Sequence, residues 1–199
     1  SYGADVAVDN ASNVIMVGST SSAAGIATAG TAHTTYIGGA QDGYAVKFNS
    51  TGFRQWGTYL GGTGSDAAEG ITINSTNEVY LGGWTNSTDL TTLGAFQAIN
   101  GGSIDAMLYK LNSANGTALW ATYYGGTEVD ILTTVQIDKN DDLYFGGRTG
   151  STASISTAGS YQPAYNGVGP TNADAMLVKF KPAGARLWGT YLGGCLFYT

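Results

Sequence analysis

Histidine and cysteine occur once each in the 199 residues, as His33 and Cys195. One of each cannot assemble a His/Cys zinc cluster, and a lone cysteine closes no intrachain disulfide. Disulfide evidence for an oxidising compartment is therefore missing, which does not exclude secretion. Charge is also scarce, with 8 basic and 14 acidic residues for a net −6. Such a chain has no basic stripe for a phosphate backbone, so nucleic acid is not an expected partner. No apolar run approaches the roughly 18 residues of a bilayer span, so membrane insertion is not expected either. The opening Ser-Tyr-Gly-Ala-Asp lacks a signal-peptide layout, so any signal is expected to have been removed or to lie upstream. Two catalytic signatures are absent as well: the Gly-x-Ser-x-Gly elbow and a phosphate-loop glycine pattern ending in Lys-Ser/Thr. No catalytic residue, metal site or cofactor is assigned.

Helical periodicity is missing too, and what fills its place is repetition. Asp42-Gly-Tyr-Ala-Val-Lys-Phe, Asp105-Ala-Met-Leu-Tyr-Lys-Leu and Asp174-Ala-Met-Leu-Val-Lys-Phe each lead to a Trp-x-Thr-Tyr-x-Gly-Gly stretch. The tryptophans stand at 56, 120 and 188, so one unit of roughly 65 residues recurs. The units are read as 1–62, 63–126 and 127–194, with a divergent tail at 195–199. Hydrophobic residues make up 43% of the chain, enough for packed cores, and many of the 31 glycines fall at matching places where turns are expected.

Each unit holds four short β-type runs. Strand A alternates apolar residues at Val6 and Val8, Ile71 and Ile73, Val135 and Ile137. Strand B follows a polar turn and ends in glycine, at Val17-Gly18, Gly82-Gly83 and Gly146-Gly147. Strand C is the Asp-x-x-x-x-Lys segment and strand D carries the tryptophan. Between C and D, Gly52, Gly116 and Gly184 suit a hairpin position of positive φ. Four antiparallel strands per repeat predict an all-β fold, a β-propeller segment of about three four-stranded blades belonging to a larger propeller. Three blades are too few to close a ring. The terminal units are thus expected to expose apolar faces for a neighbouring blade, a second chain or another protein.

The Asp-Ala-x-x-x-Lys-Phe and Leu-Trp-x-Thr-Tyr-Leu-Gly-Gly motifs, the Val-Ala-Val-Asp or Ile-x-Ile-Asn strand, and Gly94-Ala-Phe-Gln resemble the SBBP (seven-bladed β-propeller) repeats over about residues 1–194. That resemblance implies an exported bacterial protein, secreted or at the cell surface, and brings no shared catalytic site. The first unit departs from the pattern at Ala32-His33, where the others read Phe96-Gln97 and Tyr161-Gln162.

Residues repeated in all three units answer to the fold. By that test the three tryptophans fill the wedge between sheets, Lys47, Lys110 and Lys179 reach water or a carboxylate, and Asp42, Asp105 and Asp174 cap the turn into strand C. Positions that break the repeat are the functional candidates. At the end of strand B stand Ser19, Trp84 and Arg148, three chemistries at one address, against the plainer account of drift at a loop mouth. The long loops 21–41, 86–104 and 150–173 all emerge at that end, opposite hairpins of four to five residues. They are expected to present a protein- or glycan-binding face, or to be packed by their own Tyr36, Phe96, Tyr161 and Tyr165. Asp66, Glu69, Glu128 and Asp130 are placed in D-to-A loops on that face, where a pair of carboxylates could serve a glycosidase. Asp138-x-Asn140-x-Asp142 opens like a calcium loop but lacks the following glycine and the twelfth-position glutamate, so a polar hairpin is the better account. The leading expectation is a non-catalytic extracellular binding or scaffolding module. A propeller carbohydrate-active enzyme and a structural spacer within a large adhesin are the alternatives.

Overall fold

Alternating apolar residues and glycine-marked turns give twelve strands in the computed structural model, which describes residues 1–90, 94–167 and 173–193. The first sheet comprises β1 (Tyr2–Val8), β2 (Val14–Thr20), β3 (Asp42–Phe48) and β4 (Arg54–Leu60). The second comprises β5 (Asp66–Ile73), β6 (Val79–Thr85), β7 (Asp105–Leu111) and β8 (Ala118–Tyr124). The third comprises β9 (Asp130–Ile137), β10 (Leu143–Thr149), β11 (Asp174–Phe180) and β12 (Arg186–Leu192). Each sheet is antiparallel with its strands in chain order, and no helix occurs among the described residues. The long loops run between the second and third strands, as the sequence indicates. The hairpin at 112–117 is longer than expected.

The sheets stack face to face, with β5 packed against β1 on one side and β9 on the other. Strand alternation sends Ile15, Val17, Ala45 and Leu60 into a core with Ile71, Leu81, Met107 and Tyr123 of the second sheet. The opposite face of the second sheet, with Tyr80, Leu108 and Tyr124, buries Leu132, Phe145, Val178 and Phe180 of the third. A fully buried Val, Leu or Phe side chain contributes about 1.5–3 kcal/mol, so these two interfaces hold the stack together. A bulge in each first strand drives its backbone toward the second. A Cβ on Gly18, Gly83 or Gly147 would collide with the carbonyl of Tyr2, Ala67 or Ile131, which explains the glycine repeated there.

Trp56 and Trp120 reach across to the next sheet rather than merely filling the wedge. Trp56 is 3% exposed, and its Nε1 donates to the carbonyl of Ser113, 3.0 Å away in the hairpin between β7 and β8. Trp120 Nε1 donates to Pro182 O at 3.1 Å, in the corresponding hairpin of the third sheet. The indole lies over that hairpin's glycine: a Cβ on Gly116 would stand 2.7 Å from Trp56 Cε3. Gly52, Gly116 and Gly184 have φ of 83°, 71° and 89°, the left-handed conformation expected of them. The repeated lysines bind carboxylates of their own sheet, Lys47 to Asp9 at 2.8 Å, Lys110 to Glu78, and Lys179 to Asp142 at 2.9 Å.

The stack does not close among the described residues. Val6 and Val8 on the first sheet are 56% and 61% exposed, while Leu177 and Leu192 on the third are 39% and 59% exposed. Trp56→Ala should cost about 3–5 kcal/mol, the range for a buried large aromatic. Trp84→Ala, at a position the repeat does not demand, should cost less than about 1 kcal/mol. Urea melts of the two variants measure both; equal losses would remove the distinction between repeated and unrepeated tryptophans.

Candidate functional site

Ser19, Trp84 and Arg148 occupy the next-to-last positions of β2, β6 and β10, and strand register places each between two neighbours on its face. Ser19 lies between Tyr2 and Gly43, Trp84 between Ala67 and Ala106, and Arg148 between Ile131 and Ala175. Their surroundings differ because the following sheet differs. Ser19 shares the face of Ile15 and Val17 and is buried. Trp84 shares the face of Tyr80, toward the third sheet, and is half-buried over a floor of two alanines. Its Nε1 donates to Glu69 Oε1 at 3.3 Å. Arg148 shares the outer face of the third sheet and is exposed. Trp84 thus faces the space between the second and third sheets, and Arg148 the open outer face of the third.

The acidic candidates are placed differently from their sequence assignment. Asp66 and Asp130 open strands β5 and β9, and Glu69 is the bulged residue of β5; only Glu128 stays in a connecting loop, where it is exposed. Asp66 and Asp130 are wholly buried. Asp66 accepts the Gly62 N–H at 3.0 Å and the Ser87 hydroxyl at 2.9 Å, and Asp130 accepts Gly126 N–H at 2.8 Å, Ser151 Oγ at 2.7 Å and the Thr149 hydroxyl. In the first sheet the equivalent address is Ser1, whose hydroxyl pairs with Thr20 Oγ1 at 2.7 Å. The third-strand aspartates bind the turn before them: Asp42 accepts Ile37 N–H at 2.7 Å, Asp105 accepts Gly101 N–H and Asp174 accepts Asn166 N–H, each at 2.8 Å.

Burial dominates the ionisation of these groups. It pushes the Asp66 carboxyl up to about 6 against the hydrogen bonds from Thr85, Gly62 and Ser87, with the Asp42 charge adding to the rise. Asp105 is likewise pushed up to about 6 by burial, reinforced by Asp130, and burial raises Asp130 and Asp42 as well. The carboxylates facing lysine go the other way. Burial opposes ionisation of Asp9, yet Lys47, Asn13 and the N–H groups of Asn13 and Ala11 outweigh it and hold that carboxyl well below the usual range. Glu78 is lowered by Lys110 and Tyr80 against burial, and Asp142 by Lys181 and Lys179. Asp138 accepts the N–H groups of Asn140 and Asp142 at 2.8 and 3.1 Å and faces Lys179 at 3.3 Å, the bonding of a polar hairpin.

The long loops fold down along the outer strand of their own sheet. His33 N–H donates to Thr58 Oγ1 at 2.9 Å while Tyr59 N–H donates to His33 O at 3.2 Å, and Thr28 N–H meets Gly57 O at 2.8 Å. Gln97 and Gln162 make the same pair of bonds with Thr122 and Tyr123, and with Thr190 and Tyr191. Loop aromatics pack on the strands beneath, Tyr36 on Tyr59 and Tyr165 on Tyr191 with centroids 5.9 Å apart and Phe96 on Tyr124 at 6.1 Å, and Phe96 also reaches Phe180 of the third sheet at 5.5 Å. Tyr161 is 84% exposed. Part of each long loop thus covers the outer strand of its sheet. Cys195 and the tail 195–199 lie outside the described residues.

The roles of three residues, Gln97, Gln162 and Glu69, were not evident from the sequence. Gln97 and Gln162 bridge Asp105 and Asp174 to the Gly125 and Gly193 N–H groups, a role His33 does not take; the repeated Phe/Tyr-Gln pair was the available signal. Glu69, read only as an acid, is the partner of Trp84. Comparison with protein-family models finds no match, and a search of curated proteins finds none.

The two sets of carboxyls set the pH dependence of stability. Asp66 and Asp105, raised in the folded state, contribute stability that is complete below their unfolded value near 3.8 and lost as pH rises through about 6. Asp9, Glu78, Asp138 and Asp142, lowered in the folded state, contribute stability that is present above the ordinary carboxylate value and lost on acidification. Stability should therefore peak near pH 4 and fall by on the order of 2 kcal/mol by pH 7, allowing for solvent screening. Denaturant melts across that range should show the fall shrinking in Asp66→Asn and Asp105→Asn; a profile flat from pH 4 to 7 would contradict it.

Proposed function

We propose that this chain is a segment of an extracellular bacterial β-propeller of the SBBP kind, acting as a non-catalytic binding or scaffolding module that holds a glycan near Trp84. Three stacked four-stranded antiparallel sheets, with their first strands packed against one another, support the propeller reading. The observation that carries the binding reading is the pairing of Trp84 with Glu69 over Ala67 and Ala106. No repeat equivalent needs an indole there, and Ser19 and Arg148 fill the same address in the other sheets. A half-buried indole offers a flat apolar surface to the C–H face of a sugar ring, and the carboxylate at its edge accepts a ring hydroxyl. Protein partners with a planar aromatic or guanidinium group would fit the same surface.

Burial argues against acid–base use of the neighbouring aspartates. A glycosidase needs two carboxyls flanking the scissile bond, one of them free to move a proton. Asp66 and Asp130 are wholly buried and engaged by hydroxyl and amide donors, so a substrate does not reach them.

A panel of soluble bacterial and plant polysaccharides, run in affinity electrophoresis with an assay for new reducing ends, tests this function. Retardation without cleavage is expected, falling at least about tenfold in Trp84→Ala and less in Glu69→Gln, with unchanged far-UV spectra. New reducing ends that disappear in Asp66→Asn or Asp130→Asn would mean an enzyme. Retardation untouched by Trp84→Ala would place the binding surface elsewhere.

A further inference from the structure

The two crevices between neighbouring sheets, at the end where the long loops emerge, are built from matching residues with one exchange. In the first, between the first and second sheets, the Thr63 N–H donates to the Asp89 carboxylate at 3.0 Å, and that carboxylate lies against Gly62. In the second, Thr127 and Gly126 hold those addresses, but the loop of the third sheet brings the Ala153 carbonyl against Gly126 instead of a carboxylate. The Thr127 N–H has no partner among the described residues. In exchange, Arg186 stands where the second sheet has Ala118, and Phe96 where the first loop has Ala32. The guanidinium lies over the Phe96 ring, its carbon 4.8 Å from the centroid, and its Nη1 donates to Ser154 O at 3.2 Å. No carboxylate pairs with it among the described residues. An open cavity of about 390 Å³ remains between Phe96, Gln97, Gly126, Thr127, Ser154 and Arg186.

We propose that this second crevice binds a hexuronate, alone or as a residue of an acidic glycan, through its carboxylate. The first crevice shows what the place accepts: a carboxylate at the threonine N–H. Thr127 offers its N–H and hydroxyl, and Arg186 adds a planar fork of donors, held by Ser154 and Phe96, that matches a carboxylate. The buried Asp105, bonded to Gln97 and Gly101 behind the cavity, does not bar an anion. Asp89 keeps the matching place beside Gly62, whose N–H is held by the equally buried Asp66, with no lysine or arginine paired to it among the described residues. Phe96 is the one apolar side chain lining the cavity, and the guanidinium lies over it; the rest is amide, hydroxyl and glycine main chain. Such a lining suits the hydroxyls of a sugar ring better than the apolar side chain beside a peptide's terminal carboxylate. None of these residues belongs to the Trp84 surface.

Amide nuclear magnetic resonance of the isotope-labelled, unsubstituted chain, titrated with galacturonate, oligogalacturonate, galactose and trialanine, tests the assignment. Galacturonate should move the Thr127 N–H signal and leave that of Thr63, already bonded to Asp89, in place; galactose should move neither. Tighter binding of the oligomer than of the monomer assigns the site to a glycan, and equal binding assigns it to the free acid. Arg186→Gln should weaken binding at least about tenfold, and Arg186→Lys, which keeps the charge without the fork, by less, with circular dichroism that of the folded chain. Trp84→Ala should leave galacturonate binding unchanged, so failure of this site and failure of the glycan surface at Trp84 are told apart. A Thr127 signal that stays still at tens of millimolar galacturonate, one that moves equally with galactose, or one that moves with trialanine alone would each overturn the proposal.

Discussion

The fourth strand of every sheet answers to two demands at once, and most of the molecule follows from how they are met. As an outer strand it has a row of N–H and C=O groups with no neighbour, a template for unwanted pairing. The long loop from the same sheet lies along it and takes up those groups at alternate residues, as Thr28 and His33 do for Gly57 and Tyr59. In the first and second sheets the same strand also extends its tryptophan to the hairpin of the next sheet. Closing the edge and joining the sheets are thus done by one strand, which explains why Trp-x-Thr-Tyr is the most faithfully repeated stretch of the sequence. The threonine hydroxyl holds the loop, and the tyrosine N–H bonds the loop carbonyl.

At the end of the sheets where the long loops emerge, the connections are organised by buried carboxyls. Asp66 and Asp130 each gather a glycine N–H and neighbouring hydroxyls, while Asp42, Asp105 and Asp174 order the turn ahead of the third strand. Burying ionisable groups is costly unless they are bonded or neutral, and these groups move toward the neutral form. Carboxyls with a raised pKa in a cleft are ordinarily candidates for acid–base work. Here the arrangement recurs at Asp66 and Asp130, with Ser1 in its place in the first sheet, and both carboxyls are wholly buried. The mouth of the second sheet is where the repeat relaxes, and there the indole of Trp84 meets Glu69.

Strand content, strand order within each unit and the loop lengths were legible in the sequence because they rest on local signals. Alternation set the strands, glycine at positive φ set the hairpins, and three copies of each motif checked one another. The direction of the tryptophan bond was not legible. An indole N–H and a backbone carbonyl 57 residues away carry no pattern that a sequence reveals. Nor was the course of the long loops, since their bonds to the outer strand use main-chain atoms that every residue has. Loop length left open a binding face or self-packing, and the bonds that lay part of each loop along the outer strand could not be read from it. The strand-B candidates were located correctly along the chain, but which inter-sheet space each faces depends on the next sheet, and a single strand does not contain that information.

The way the long loops are fastened bears on how such a chain changes over generations. Each is pinned near its middle, at His33, Gln97 or Gln162, by bonds to threonine and tyrosine of the outer strand. Compared with the first loop, the third carries its extra residues between the pin at Gln162 and the start of β11 at Asp174. Additions there leave the pinned half and the sheet beneath untouched, because closing a longer loop costs little. The stretch between pin and third strand is thus a tolerant site for insertion, where new recognition elements can be acquired, or grafted by design, without loosening the strand that holds the stack together.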